Sequence, residues 1–243
     1  MIKTAGIIII GDEILSGMVE ECNALYMARE LRMRGVAVKR ISVIGDNVDE
    51  IATEVRQFSV NYDYVFTSGG IGPTHDDVSI EGISKAFNVE PVIHEYLRNV
   101  LLQRYGGTLT PERLKMAEVP NGGDIITDTD LKFPLIYYKN IYIFPGVPKY
   151  LREKLNILLR RFNGKPVLFK KIYVDEYESE IAPHLNKVVK NHSLVKIGSY
   201  PFFDDRNYKV MLTLESIDEL ELQATINEIT FGPFKEYIVK IED

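Results

Sequence analysis

The chain has 243 residues, 45% of them hydrophobic and 26% charged, with a formal net charge of −6. That is enough apolar material for one good core and a smaller second one, while the negative balance excludes broad nucleic-acid binding driven by phosphate neutralisation. No apolar run approaches the roughly 20 residues that span a bilayer, nothing at the amino terminus has signal-peptide form, and Cys22 is the single cysteine, so a cytoplasmic, reducing setting is expected.

Ala5-Gly6-Ile7-Ile8-Ile9-Ile10 is a continuous apolar run of the kind found in a fully buried parallel strand, and it ends in Gly11-Asp12-Glu13. Asn23 to Arg34 reads as a helix with Leu25, Ala28 and Leu31 on one face and Gly35 as its C-cap. Val36 to Ile44 is a second β-rich run, ending in Gly45-Asp46-Asn47, and Ile51 to Phe58 reads as another helix. Tyr64 to Ser68 predicts a third buried strand, followed by the turn Gly69-Gly70-Ile71-Gly72. An acidic helix start comes next, in which Thr74 and Asp77 resemble a capping box and Ile80, Ile83 and Phe87 recur at helical spacing. Thr108-Leu109-Thr110-Pro111 opens a further helix, whose Arg113 and Lys115 are read as a solvated face rather than as phosphate contacts. Leu135 to Tyr138 and Ile141 to Phe144, joined by Lys139-Asn140, predict a hairpin. Pro145-Gly146-Val147-Pro148 then turns the chain, with Pro148 at the first position of a helix reaching about Arg161.

Phe162-Asn163-Gly164-Lys165-Pro166 is the expected boundary between domains 1–164 and 165–243. Beyond it, Val167 to Val174, Ser179 to Lys190, Leu194 to Tyr200, Tyr208 to Glu215 and Ile217 to Ile229 read as strand, helix, strand, strand, helix, a small α+β unit. It has no Gly-x-x-Gly clamp for RNA, and its Asp204-Asp205 loop makes a poor phosphate ligand. A scaffold or dimerisation element is expected, with Tyr200 or Arg206 available to a neighbouring cleft.

Alternating strands and helices in the first part predict an α/β fold, a mostly parallel sheet with helices on both faces. Ligands bind such sheets beyond the carboxyl ends of the strands, where Asp12, Glu13, Asp46 and the Gly69 to Asp77 loop are all expected to converge. Glycines let backbone N–H groups approach an anion, and the following helix adds its dipole. The amides of Gly69, Gly70 and Gly72 are therefore the expected phosphate donors, with Gly11, Asp12, Asn23, Ser68, Thr74, His75 and Gly146 as further substrate contacts, although a turn-making role for Gly146 is preferred. The loop has no P-loop Gly-Lys-Ser/Thr and no third glycine at dinucleotide-fingerprint spacing, which excludes those two chemistries. Asp76 and Asp77 would repel the phosphate that the amides attract unless a divalent cation lies between them. Glu13, Asp76 and Asp77 are the expected metal ligands; Asp46, Asp76 and Asp77 are the expected catalytic residues, with Asp46 as general base or rim contact. Taken alone, the acid pair has a plainer reading as a complement to the helix dipole. His94, His184 and His192 read as surface residues, and nothing marks Cys22 as a nucleophile.

Three ordered segments also resemble a known family: Thr4 to Leu15, Ser68 to Val78, and Phe133-Pro134-Leu135 followed by Asn140 to Pro148. They are similar to the signatures of the molybdopterin-binding-like (MoaB/Mog-type) domain, in particular the version at the amino end of eukaryotic FAD synthase and in the competence/damage-inducible protein A (CinA) group. Ile181-Ala182-Pro183 and Gly198-Ser199-Tyr200-Pro201 resemble pieces of the smaller, KH-like domain that follows in these relatives. The resemblance implies a three-layer MogA-like sheet carrying a metal-dependent nucleotide pyrophosphatase for FAD or ADP-ribose. The alternatives are a pterin-binding or adenylylating protein of molybdenum cofactor assembly, in whose relatives acids matching Asp46 and Asp77 are implicated, and a non-catalytic nucleotide-sensing module. Expected cofactors are Mg²⁺, Mn²⁺, Co²⁺ or Ni²⁺, with K⁺ alongside. Expected partners are a nucleotide or pterin and further copies of the chain. The FMN-adenylylating domain of FAD synthase and the amidase domain of bacterial relatives have no counterpart in the sequence, so those activities are not expected.

Overall fold

In the computed structural model, which describes residues 2–203 and 207–242, the isoleucine run lies inside a six-stranded sheet. The chain divides into two units, Met1–Gly164 and Lys165–Asp243. The first contains β1 (Lys3–Ile10), α1 (Asp12–Leu15), α2 (Asn23–Met33), β2 (Val36–Ile44), α3 (Val48–Asn61), β3 (Tyr64–Ser68) and α4 (Ser79–Ala86). It continues with β4 (Pro91–Ile93), α5 (Glu95–Arg104), α6 (Pro111–Lys115), β5 (Glu118–Pro120), β6 (Asp124–Ile126), β7 (Leu135–Tyr138), β8 (Ile141–Phe144) and α7 (Pro148–Leu159).

The sheet order is β2-β1-β3-β8-β7-β6; the first four strands run parallel and β7 is antiparallel to both its neighbours. Successive side chains on a strand point to opposite faces. Ile8 and Ile10 accordingly join Ile51, Val55, Phe58 and Ile83, whereas Ile7 and Ile9 join Met27, Leu31, Phe66 and Leu155. Helices cover both faces, which makes the run continuous instead of alternating. The expected α/β class with a mostly parallel sheet is the fold observed.

Several local expectations need correction. On α2 the buried stripe is Ala24, Met27 and Leu31, while Leu25 is 54% exposed, so the helix is rotated from the face first read. Helix α3 starts at Val48 because the Asn47 side chain accepts from the Asp49 and Glu50 amides at 2.9 and 3.1 Å. Helix α4 starts at Ser79, beyond both acids, and the Thr74–Asp77 contact closes a turn that precedes the helix. Pro148 does hold the first position of α7, and the hairpin turns at Lys139, which takes a positive φ of 52°.

The second unit contains β9 (Leu168–Val174), α8 (Glu178–Asn191), β10 (Lys196–Pro201), β11 (Val210–Ser216), α9 (Glu219–Thr230) and β12 (Ile238–Glu242). Its antiparallel sheet, ordered β10-β11-β9-β12, buries Ile172, Val174, Leu212 and Leu214 with Ile181 and Val188 of α8 and Ile226 and Ile229 of α9. The closing strand β12 was not expected from its short charged sequence. Tyr200 lies half-exposed on β10, and Asp204, Asp205 and Arg206 lie outside the described residues. His94, His184 and His192 are not the solvated surface groups expected. His184 packs edge-on to Phe234 at 5.2 Å, His94 is largely buried, and His192 lies between Glu221 at 3.2 Å and Glu228 at 2.8 Å. Burial works against charge on His192, but the two carboxylates outweigh it and raise its pKa.

Two side chains staple the first unit. Asn140 donates from Nδ2 to the Ser59 and Tyr62 carbonyls at 3.0 and 2.9 Å and accepts from the Ser59 hydroxyl at 2.8 Å, tying the end of α3 to the β7–β8 turn. Lys154, buried on α7, donates from Nζ to the Phe133 and Pro134 carbonyls. Asn140→Ala leaves two carbonyls without their donor and is expected to lower stability by about 2–3 kcal/mol, measured by chemical denaturation. Burial pulls the Lys154 pKa down from 10.5 to about 8. Both states carry the proton below about pH 8; above it the folded state loses the proton first, so stability rises with pH until the unfolded chain also titrates. Relative to Lys154→Met, the wild type should gain up to about 3 kcal/mol between pH 8 and 10.5, read from denaturation midpoints across that window.

Candidate functional site

Four parallel strands bring their carboxyl ends to one edge, and the loops leaving them carry Gly11 to Glu13, Gly45-Asp46, Gly69 to Asp77 and Pro145-Gly146. Two of these loops interlock. The Asp12 amide donates to Asp46 Oδ2 at 2.9 Å and the Asp46 amide donates to Asp12 Oδ1 at 3.2 Å. Each carboxylate therefore keeps one oxygen without a partner from the other loop. The Asp46 carboxyl is pushed above the usual carboxylate range, first by burial and then by the charges of Asp12, Glu13 and Asp76; the amide of Asp12 works the other way. Four acids thus share one electrostatic neighbourhood at the edge of the sheet.

The glycine turn is fixed by close approach. A Cβ on Gly69 would run into the Ile10 carbonyl, and its φ is 114°; a Cβ on Gly70 would meet the Ser79 hydroxyl, and its φ is 64°. Ser79 returns the start of α4 to the glycines, its amide donating to the Gly70 carbonyl at 2.9 Å and its hydroxyl to the Gly69 carbonyl at 2.8 Å. The amides themselves divide differently from expectation. Gly69 N–H donates to the Phe144 carbonyl and Gly11 N–H to the Ile44 carbonyl, so both are used by the sheet and neither is free for phosphate. The N–H groups of Gly70, Ile71 and Gly72 have no acceptor among the described residues and form the available anion donors. Ile71 was missed because an amide carries no side-chain signal.

Asn23 and Ser68 are staples, not rim contacts. Asn23, 7% exposed, donates from Nδ2 to the Ser68 hydroxyl at 3.1 Å and the Gly146 carbonyl at 2.7 Å, and Ser68 donates onward to the Pro145 carbonyl at 3.3 Å. Gly146 sits 3.5 Å from the Gly69 Cα if given a Cβ, in keeping with its turn-making role. Thr74 commits both its amide and its hydroxyl to Asp77 Oδ2, at 2.8 and 2.6 Å. The His75 side chain is 98% exposed, and its Nδ1 lies 3.9 Å from Asp76.

The adjacent acids diverge. Asp76 acts on Asp46, and its own carboxyl is held below the usual range by the neighbouring Thr74 side chain first and then by its own amide, with His75 and Lys115 contributing. Asp77 instead lines a cavity of about 480 Å³ together with Ile71, Gly72, Glu81, Lys115 and Glu118. Burial raises the Glu118 carboxyl, Lys115 opposes the rise and Glu81 adds to it. Glu13, Asp76 and Asp77 consequently do not form one ligand group, and among the described residues no three His, Cys, Asp or Glu side chains are disposed to hold a metal by themselves. Sequence reasoning set Lys115 aside as a solvated cation; the cavity wall is where it lies.

No helix is long and apolar enough to cross a membrane among the described residues. The family described as the FAD synthase middle domain matches residues 166–241. A protein of Archaeoglobus fulgidus is 38% identical over 195 residues, covering 80% of this chain and 84% of that protein. A probable FAD synthase of Caenorhabditis elegans is 31% identical over 255 residues, covering 93% of this chain and 49% of its own length, so this chain spans about half of that relative. The crystal structure of CinA, a protein of unknown function from Thermoplasma acidophilum, superposes with a TM-score of 0.61 at 33% identity, covering 66% of this chain and 98% of that one. The resemblance read from the three sequence segments is borne out by these relatives. The family described as a probable molybdopterin binding domain matches residues 6–168, well over half of the sequence, and the chain belongs to it.

Proposed function

We propose that the first unit is a metal-dependent nucleotide pyrophosphatase acting on a dinucleotide of the FAD or ADP-ribose type. The observation that carries the reading is the crowding of Asp12, Glu13, Asp46 and Asp76 beside the free amides of Gly70, Ile71 and Gly72. Negative side chains and anion donors are incompatible neighbours for a diphosphate unless a cation mediates. A divalent ion fits this donor set, since Asp12 and Asp46 each place one carboxylate oxygen on the other's amide and keep the second oxygen out of that contact. Hard cations are commonly held by one or two carboxylates and completed by substrate phosphate oxygens; Glu13 and Asp76 would hold such an ion. When bound, it would polarise the phosphorus and offset the charge that develops there.

The chain's own residues do the rest. The three amides fix the phosphates. Asp46, with Oδ2 held by the Asp12 amide, presents Oδ1 to accept a proton from the attacking water, and its raised pKa makes it a better base than an ordinary carboxylate. Asp77, with Oδ2 held by Thr74, keeps Oδ1 for the loop side of the substrate. The relative named a probable FAD synthase supports a flavin-type nucleotide as ligand. The probable molybdopterin binding domain match favours a pterin as the second reading, which ATP-dependent adenylylation of a pterin would distinguish.

With Mg²⁺, Mn²⁺, Co²⁺ or Ni²⁺, and with or without K⁺, the protein should release AMP from ADP-ribose or FAD. Asp46→Asn and Asp77→Asn, which keep the hydrogen-bond acceptors, should each slow release by about 10²- to 10⁴-fold. Absence of release under every metal, or an Asp77→Asn variant as fast as wild type, refutes the reading. Asp46→Asn should have a second effect in metal-free buffer. A carboxylate whose folded pKa is raised weakens the fold above that pKa, and the weakness disappears as pH falls through it. Replacing it with a neutral amide should raise the melting midpoint at pH 7 by about 2 °C, and added Mn²⁺ should stabilise the wild type more than the variant in the same calorimetric scan.

A further inference from the structure

We propose that Lys115 is a substrate-contacting residue that grips a phosphate of the ligand at the mouth of the cavity beside the glycine turn. The inference deepens the reading above and rests on it for the identity of the anion. Helix α6 delivers the lysine. The Thr110 hydroxyl caps the helix by accepting from the Arg113 amide at 3.4 Å, and Pro111 takes its first position. Arg113 then stacks over the Tyr105 ring at 4.1 Å, while Lys115 lines the cavity beside the glycine turn. The two cations of one short helix thus have separate tasks.

An ammonium carries three donors. Lys115 uses one on the Thr74 carbonyl at 2.7 Å, inside the turn that Thr74 and Asp77 close. The other two have no acceptor among the described residues, and no carboxylate lies within ion-pair distance, although Asp77, Glu81, Glu90 and Glu118 line the same cavity. The ammonium is open to solvent at that point, so those two donors are accessible to an incoming anion. Among the described residues Lys115 is the one basic residue in the lining, which includes Gly72, whose amide has no acceptor among them. Lys115 and Gly72 therefore line one cavity, an arrangement that suits a phosphate oxygen.

The test titrates AMP and ADP-ribose, with Mn²⁺, into wild type, Lys115→Met, Lys115→Arg and Arg113→Met, with AMP release followed in parallel. Lys115→Met should weaken ADP-ribose binding by about ten- to a hundredfold and flatten its salt dependence. Lys115→Arg should restore most of the loss, and Arg113→Met should bind as wild type. If Lys115→Met binds as tightly as wild type and only melts earlier, the lysine is merely a clamp on Thr74 and the inference is overturned. If wild type binds ADP-ribose through Lys115 yet never releases AMP, the hydrolase reading falls and the inference stands. Wild type that takes up neither nucleotide overturns it.

Discussion

Hydrogen bonds that carry the parallel pairing one residue past the strands determine where chemistry can occur in this molecule. Gly11 donates to Ile44 and Gly69 to Phe144, so the sheet ends flush along one edge and free polar groups begin only beyond those residues. Glycine is required at position 69, where the backbone meets the Ile10 carbonyl with no room for a side chain. Ser79 then folds the loop back on the same glycines, which leaves Gly70, Ile71 and Gly72 as a short row of half-buried donors with no acceptor among the described residues. The position of the anion site follows from strand pairing, and the glycines serve that pairing before they serve a ligand.

Much of this was legible in the sequence because it rests on patterns with a short range. The isoleucine run gave a strand buried on both faces, the Lys139-Asn140 joint gave a hairpin, and three acid-bearing loops after apolar runs gave the sheet edge. What escaped depends on packing between distant elements. Asn23 looks like a rim residue until Ser68 and Gly146 are seen closing over it. The start of α4 shifts because Thr74 captures Asp77 before the helix can. Strands β4 and β5 are three residues each, too short for a period to show. His192 reads as solvated until α9 supplies two glutamates against it.

Arg113 and Lys115 illustrate the limit most clearly. Both are basic, both sit on one five-residue helix, and no periodicity separates them. Tyr105 takes the first, and the turn at Thr74 takes the second. Charge near the turn is then divided spatially: acids coupled to Asp46 lie on the sheet edge, while the cavity side holds further acids and one cation. Adjacent aspartates belong to different halves of that division. A two-residue motif that looks like a single metal clamp in sequence is, in three dimensions, one acid coupled to Asp46 and one that lines the cavity.

Membership of the family accounts for the sheet and its glycine turn but leaves the reaction open, since one scaffold can hold pterins or nucleotides. The residues of this chain narrow the choice. The Asp46 carboxyl is pushed up by burial first and then by the charges of Asp12, Glu13 and Asp76, beside amides that have no acceptor among the described residues. Such an arrangement weakens the fold by itself, and natural proteins accept that kind of penalty mainly where a ligand or ion relieves it. Relief by a cation alone would leave the amides idle, and relief by an anion alone would worsen the repulsion. On the reading proposed above, a cation and an anion arriving together would satisfy both sets of groups, as a metal-bound diphosphate ester would.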